Sequence, residues 1–209
     1  MQIADFGLAR SISDASTDTP NLMTEYVATR WYRAPEILLG STKYTKGVDI
    51  WSVGCVIGEM MGGHPMFPGT STMNQLEKVL EVTGKPTETD IASMRSPFAT
   101  TMLDSLPTPQ QRDLRHVFPK AHSDAVDLLR RMLRFNPAER ISAKEALAHP
   151  YCAQFHNEAE EYECPRPILV PVDDNTKLST ADYRDRLYNE IVRRKREGKS
   201  VAGRSGRGR

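Results

Sequence analysis

The sequence predicts a mainly helical domain, and three observations carry that prediction. Apolar residues recur at helical spacing in several segments bounded by capping residues and glycines. No convincing run of alternating apolar and polar residues interrupts them. The 209 residues are 39% hydrophobic and 26% charged, which suffices for a buried core and excludes collagen-like and wholly disordered chains. A stub of β structure around residues 1–8 is the one exception expected.

Taken in order, Asp49 is placed to cap a helix that runs to about Met61 and stops at Gly62-Gly63. Ile50, Trp51, Val53, Val56, Ile57, Met60 and Met61 point almost all the way round it, which predicts burial on most sides. Thr72-Met-Asn-Gln75 reads as a capping box opening a second helix, with Leu76, Val79 and Leu80 on one face and Gly84 at its end. Residues 85–122 hold five prolines and should form loops and brief helices. Ser123 starts a third long helix carrying Val126, Leu129, Met132 and Leu133, closed by Asn136-Pro137. Ser142-Ala-Lys-Glu145 is a capping box on a short helix cut off by His149-Pro150. Ser179 caps a last helix through roughly Glu197, with Tyr183, Leu187 and Ile191 in a stripe. It grades into a basic tail, 193–209, expected to be disordered.

Charge narrows the function. Twenty-eight Lys and Arg stand against 27 Asp and Glu, so no whole-protein field attracts nucleic acid or an anionic membrane. The balance is uneven: residues 193–209 hold eight basic residues and one acidic, while the first 192 hold 20 basic against 26 acidic. The tail alone, Arg193-Arg-Lys-Arg196 with Arg204, Arg207 and Arg209, is a candidate importin or RNA contact. Cys55, Cys152 and Cys164 are odd in number and far apart, which supports neither a disulfide framework nor a zinc site. The five histidines have no metal-ligand spacing. The longest apolar stretch, Ile50 to Met61, is too short to span a bilayer and contains Ser52 and Glu59. A reducing compartment, cytoplasm or nucleus, is the expectation.

The chemistry is carried by an ordered set of short motifs. Asp5-Phe6-Gly7 sets a carboxylate before a bulky anchor and a flexible glycine. A polar stretch follows, then Thr24-Glu-Tyr26, then Ala34-Pro35-Glu36. Further on come Asp49-Ile-Trp-Ser-Val-Gly54, Phe67-Pro-Gly69, Asn136-Pro-Ala-Glu-Arg140 and His149-Pro-Tyr151. Any one of these arises by chance; the whole series in this order does not. The chain resembles the C-terminal lobe of a eukaryotic protein kinase, specifically a mitogen-activated protein kinase with a Thr-Glu-Tyr activation lip. Val27-Ala-Thr-Arg-Trp-Tyr-Arg-Ala-Pro-Glu36 is similar to that family's segment almost letter for letter. Leu178-Ser-Thr, Tyr183-Arg and Leu187-Tyr188 look most like the atypical extracellular-signal-regulated branch, which phosphorylates its own lip.

The resemblance implies a division of the chain. Residues 1–155 form the kinase lobe, with the activation segment at 5–36 and the family's insert at about 85–122. Residues 156–192 form a C-terminal extension with an acidic docking turn and a helix, ahead of the tail at 193–209. It also implies roles. Asp5 would hold Mg2+ bridging the phosphates of ATP, and Thr24 and Tyr26 would be the phosphoacceptors. Thr29 would orient the substrate hydroxyl, with Arg10, Arg30 and Arg33 as phosphate partners. Glu36 would pair with Arg140 as a buried ion pair, and Asp49 would cap the back of the catalytic loop.

The activity implied is transfer of the ATP γ-phosphate to Ser or Thr followed by Pro, with protein substrates and an upstream activating kinase or self-phosphorylation. No Gly-rich loop, strand lysine or catalytic-loop aspartate precedes Asp5, so the chain reads as a fragment that should be inactive alone. The alternative is a non-catalytic docking module. Asn157-Glu-Ala-Glu-Glu-Tyr-Glu163 sits where the family carries its acidic docking patch for basic peptides, with Asn157 in the first acidic position and Glu160 and Glu161 left to act.

Overall fold

The computed structural model describes residues 4–6, 9, 29–41, 45–165, 168, 172 and 176–205, with side chains as far as residue 196. Two compact units are distinguished and are treated separately. The larger, within 12–165, holds eight helices among its described residues: α1 (Pro35–Leu38), α2 (Gly47–Gly62), α3 (Thr72–Thr83), α4 (Glu88–Ser93), α5 (Ala99–Asp104), α6 (Leu114–Val117), α7 (Ser123–Met132) and α8 (Ala143–Leu147). Single 3-10 turns at Arg30–Tyr32, Pro137–Glu139 and Pro150–Cys152 join them. The smaller unit contains α9 (Thr180–Ser205) and the described residues near the N-terminus. No strand occurs among the described residues; of the expected β stub, residues 4 and 5 are irregular and 1–3, 7 and 8 lie outside them.

Trp51, Cys55, Leu76, Val79, Leu129 and Leu133 lie at the heart of the core, where α2 packs against α7. Gly54 lets the two approach closely: a Cβ there would lie 3.0 Å from Met132 and Leu133. A smaller cluster joins Leu128, Met132, Ile141 and Ala146 under α8. Burial pushes the Cys55 thiol up to about 12, so it packs as a neutral core residue.

Helix ends follow local chemistry, with three departures from expectation. Gly63 ends α2 and Gly84 ends α3 at positive φ, where a side chain would be strained. Ser142 and Glu145 form the reciprocal capping box of α8, and Ser179 and Asp182 do the same for α9. Thr87 and Asp90 make a third box inside the insert. The first departure is that Asp49 does not cap α2. The helix begins at Gly47, whose N–H is taken by Thr45 Oγ1 at 3.2 Å, and Asp49 sits exposed in the first turn. The second is that α3 is capped by Ser71, which accepts the Asn74 N–H; Gln75 points into the core instead.

The third departure is α9, which continues past Glu197 to Ser205. Once nucleated, a helix adds residues cheaply. Glu190 accepts from Arg193 and Arg194 at the (i, i+3) and (i, i+4) spacings that support a helix. Backbone order over 198–205 therefore differs from the disorder expected there, while 206–209 lie outside the described residues.

Apolar almost all round, α2 is nevertheless left uncovered along one stripe. Val53, Val56 and Met60 are 46%, 47% and 79% exposed, at i, i+3 and i+7 on a single face.

Candidate functional site

Arg140 organises the segment that contains Ala34-Pro35-Glu36. Its Nη1 and Nη2 donate to Glu36 Oε1 and Oε2 at 2.7 and 2.6 Å, a bidentate pair linking residues 104 apart in sequence. The remaining N–H groups donate to the carbonyls of Gly47, Phe135 and Arg134, so all five donors are satisfied. Both side chains are essentially buried, at 1% and 2% exposure. The guanidinium also lies 5.1 Å from the Trp51 ring, which stacks on Phe67. A buried charge pair survives only with such complete satisfaction.

The residues just before Glu36 are held by a second set of contacts, none of which the sequence announces. Trp31 Nε1 donates to the Gly69 carbonyl at 3.0 Å. Gln75, fully buried, accepts the Gly69 N–H and donates to the Trp31 carbonyl. Ser52 Oγ donates to the Tyr32 carbonyl, and the Tyr32 hydroxyl donates to Glu59 at 2.6 Å. That bond to Glu59 is the main reason the Tyr32 phenol titrates above its ordinary value. Phe67-Pro-Gly69, one of the motifs read from the sequence, needs its glycine, because a Cβ there would strike the Gln75 backbone at 2.6 to 2.7 Å.

The expected phosphate partners divide. Arg30 Nη1 reaches the Thr70 carbonyl at 3.4 Å, a long contact, and its Nε is buried with no hydrogen-bond partner. Arg33 is half-buried at the end of the same turn, and Thr29 is exposed before it. Arg10, Thr24 and Tyr26 lie outside the described residues. Asp5 belongs to the smaller unit and is exposed, with its backbone in the left-handed region at φ 61°. A left-handed backbone at a non-glycine residue stores strain. One exposed carboxylate fits magnesium, which is commonly held by one or two carboxylates together with substrate phosphates. Among the described residues no group of three His, Cys, Asp or Glu could hold a metal by itself. No described helix is long and apolar enough to cross a membrane.

In the acidic turn, Glu161 is turned inward. It accepts from the His156 ring at 2.9 Å and from the Asn157 N–H at 3.2 Å. The His156 bond is the main reason its carboxyl titrates below the usual range. Glu158, Glu160 and Glu163 remain exposed, with Glu163 3.3 Å from Lys144.

The protein kinase domain model matches residues 1–152. The chain is 57% identical over 199 residues to extracellular signal-regulated kinase 2 of Dictyostelium discoideum, covering 94% of this chain and 54% of that protein. It is 47% identical over 197 residues to mitogen-activated protein kinase 15 of Xenopus laevis, covering 93% and 34%. It is 45% identical over 192 residues to mitogen-activated protein kinase 10 of Arabidopsis thaliana, covering 92% and 47%. The chain thus spans about half or less of the length of these relatives. A helical domain bearing the kinase motifs in order, and relatives of one kind in an amoeba, an animal and a plant, agree: the chain belongs to the protein kinase family, among the mitogen-activated protein kinases.

Proposed function

We propose that the whole protein transfers the γ-phosphate of ATP to Ser or Thr followed by Pro, and that Thr24 and Tyr26 are its regulatory phosphoacceptors. The observation that carries this reading is the fixed seat directly after the lip. Trp31 and Tyr32 are tied to the Gly69 turn and α2, and Glu36 is locked to Arg140. A peptide substrate needs such an immobile floor beside the reacting hydroxyl. Arg30 and Arg33 stand at the entrance to that seat, a few residues after Tyr26. Each phosphate adds about −1.5 to −2 charge at neutral pH, which guanidinium forks can receive and so order a polar loop. The buried, unpartnered Nε of Arg30 leaves a donor for that purpose.

When bound, Mg-ATP supplies the phosphoryl group. Asp5 holds the metal and Thr29 orients the acceptor hydroxyl, acting in the cytoplasm or nucleus. Phosphopeptide mapping of the protein from cells tests the assignment. Phosphate on Thr24 and Tyr26 is the expected result. Stoichiometric phosphate elsewhere in residues 11–33, with none on this pair, overturns it.

A second reading, a docking module for basic peptides, draws on the acidic turn. Glu161 shapes the turn, so Glu158 and Glu160 are the carboxylates presented to a partner. Binding would be weak and salt-sensitive. Glu158→Lys with Glu160→Lys should abolish binding of a basic peptide at low salt; equal binding by variant and parent rejects this reading.

A further inference from the structure

The sequence contains three steps from Ser or Thr to Pro: Thr19-Pro20, Ser96-Pro97 and Thr108-Pro109. The first lies outside the described residues. The structure treats the other two very differently. Ser96 is half-buried, and its hydroxyl donates to the Leu39 carbonyl while accepting the Phe98 N–H at 3.1 Å. That hydroxyl fixes the start of α5 against the end of α1, so neither its proton nor its lone pair is at liberty.

Thr108 has the opposite setting. It is exposed in the irregular stretch 107–113 between α5 and α6. The stretch is pinned at its ends, by Leu106 N–H to the Leu103 carbonyl and by Arg112 N–H to the Glu81 carbonyl. An ion pair at 3.1 Å between Arg112 and Glu81 reinforces the second anchor. Between the anchors, Thr108 makes no hydrogen bond among the described residues. Pro107 and Pro109 flank it, and a residue before proline is steered to an extended backbone. Thr108 is therefore held out on a short tether, already near the conformation in which a chain threads a groove, and little order must be imposed on binding.

We infer that Thr108 is a proline-directed phosphoacceptor. The inference rests on the Ser/Thr-Pro reading above and names a substrate for it within the chain. Thr108 Oγ1 attacks the γ-phosphorus of ATP. The new O–P bond forms as the bond to the β,γ-bridging oxygen breaks, and ADP leaves with that electron pair. The hydroxyl proton passes to the base of the acting kinase, and nothing is oxidised or reduced.

The test uses the complete 209-residue chain as substrate. It is incubated with Mg-ATP, an added active mitogen-activated protein kinase and a generic Ser-Pro peptide in the same tube, and sites are mapped by fragmentation mass spectrometry. Thr108 should carry about tenfold more phosphate than Ser96, the ratio expected when one hydroxyl must first give up two hydrogen bonds. Thr108→Ala should remove that phosphate and Thr108→Ser should keep it. A phosphorylated peptide beside a bare Thr108, or equal phosphate on Ser96, overturns the inference. Because the kinase is added, the site is judged separately from the protein's own activity. The peptide shows that the added kinase is active, so phosphate on Thr108 supports the site whatever the protein's own activity, which the mapping of Thr24 and Tyr26 in the protein from cells tests separately.

Discussion

Arg140 matters because removing either partner leaves a buried charge alone. Arg140→Ala should cost about 3–5 kcal/mol. Arg140→Lys keeps the charge but loses the fork and two donors, and should cost nearly as much. Urea denaturation of the three chains checks both. At the edge of the same lobe, the buried ring of His149 accepts the Tyr151 N–H at Nδ1, so its Nε2 donates to Asp127 at 3.0 Å. That bond is the chief reason the Asp127 carboxyl titrates below its ordinary value of 3.8. A depressed folded value means its contribution is present above the unfolded pKa and is lost as pH falls through the folded one. Stability should therefore drop below about pH 4, and Asp127→Asn should flatten that acid limb in thermal melts. Neither pairing follows from local sequence pattern. Glu36 and Arg140 are assigned to each other by family resemblance, and Asp127 with His149 went unnoticed because 22 residues separate them.

Elements were legible in the sequence wherever their determinants are local. Ser142 with Glu145, and the glycines at 63 and 84, sit within a turn of the ends they fix. Ser142→Ala should cost about 1 kcal/mol. The start of α2 differs from the sequence reading although its acceptor is local, because Thr45, two residues before Gly47, competes with Asp49 for that end; Gln75 differs because Trp31, 44 residues away, takes its side chain inward. The Gly69 turn is the sharpest consequence. Gly69→Ala forces a Cβ into backbone rather than into a movable side chain, so the Trp31 and Gln75 bonds must break together. A loss of about 2–3 kcal/mol, with a lowered thermal midpoint, is expected from a buried network broken in this way.

For the whole molecule, the exposed stripe on α2 is the feature that stands apart. Three adjacent apolar side chains left about half or more wet forfeit roughly 1–2 kcal/mol each of possible burial, a sizeable share of the net stability of a small domain. The stripe runs along one face of a helix whose opposite side, Trp51 and Cys55, is wholly buried. Val56→Lys with Met60→Lys should raise solubility without lowering the thermal midpoint, since neither residue is buried. Light scattering during a melt distinguishes this from a structural role, in which the midpoint would fall. The charge asymmetry read from the sequence belongs to this scale too, because it depends on counting rather than on contacts.

The Glu36–Arg140 lock has an optical consequence. The chain has two tryptophans, and both report on this region: Trp51 lies under the Arg140 guanidinium, and Trp31 is bonded to the turn beside it. Trp51 is wholly buried and its indole N–H has no partner, which sets its emission at the blue end. Trp31 is partly wet and hydrogen-bonded, and emits further to the red. A positively charged neighbour shifts the indole excited state, so loosening of the lock is visible as colour before the helices melt. The protein carries its own fluorescent gauge of whether the activation segment is seated.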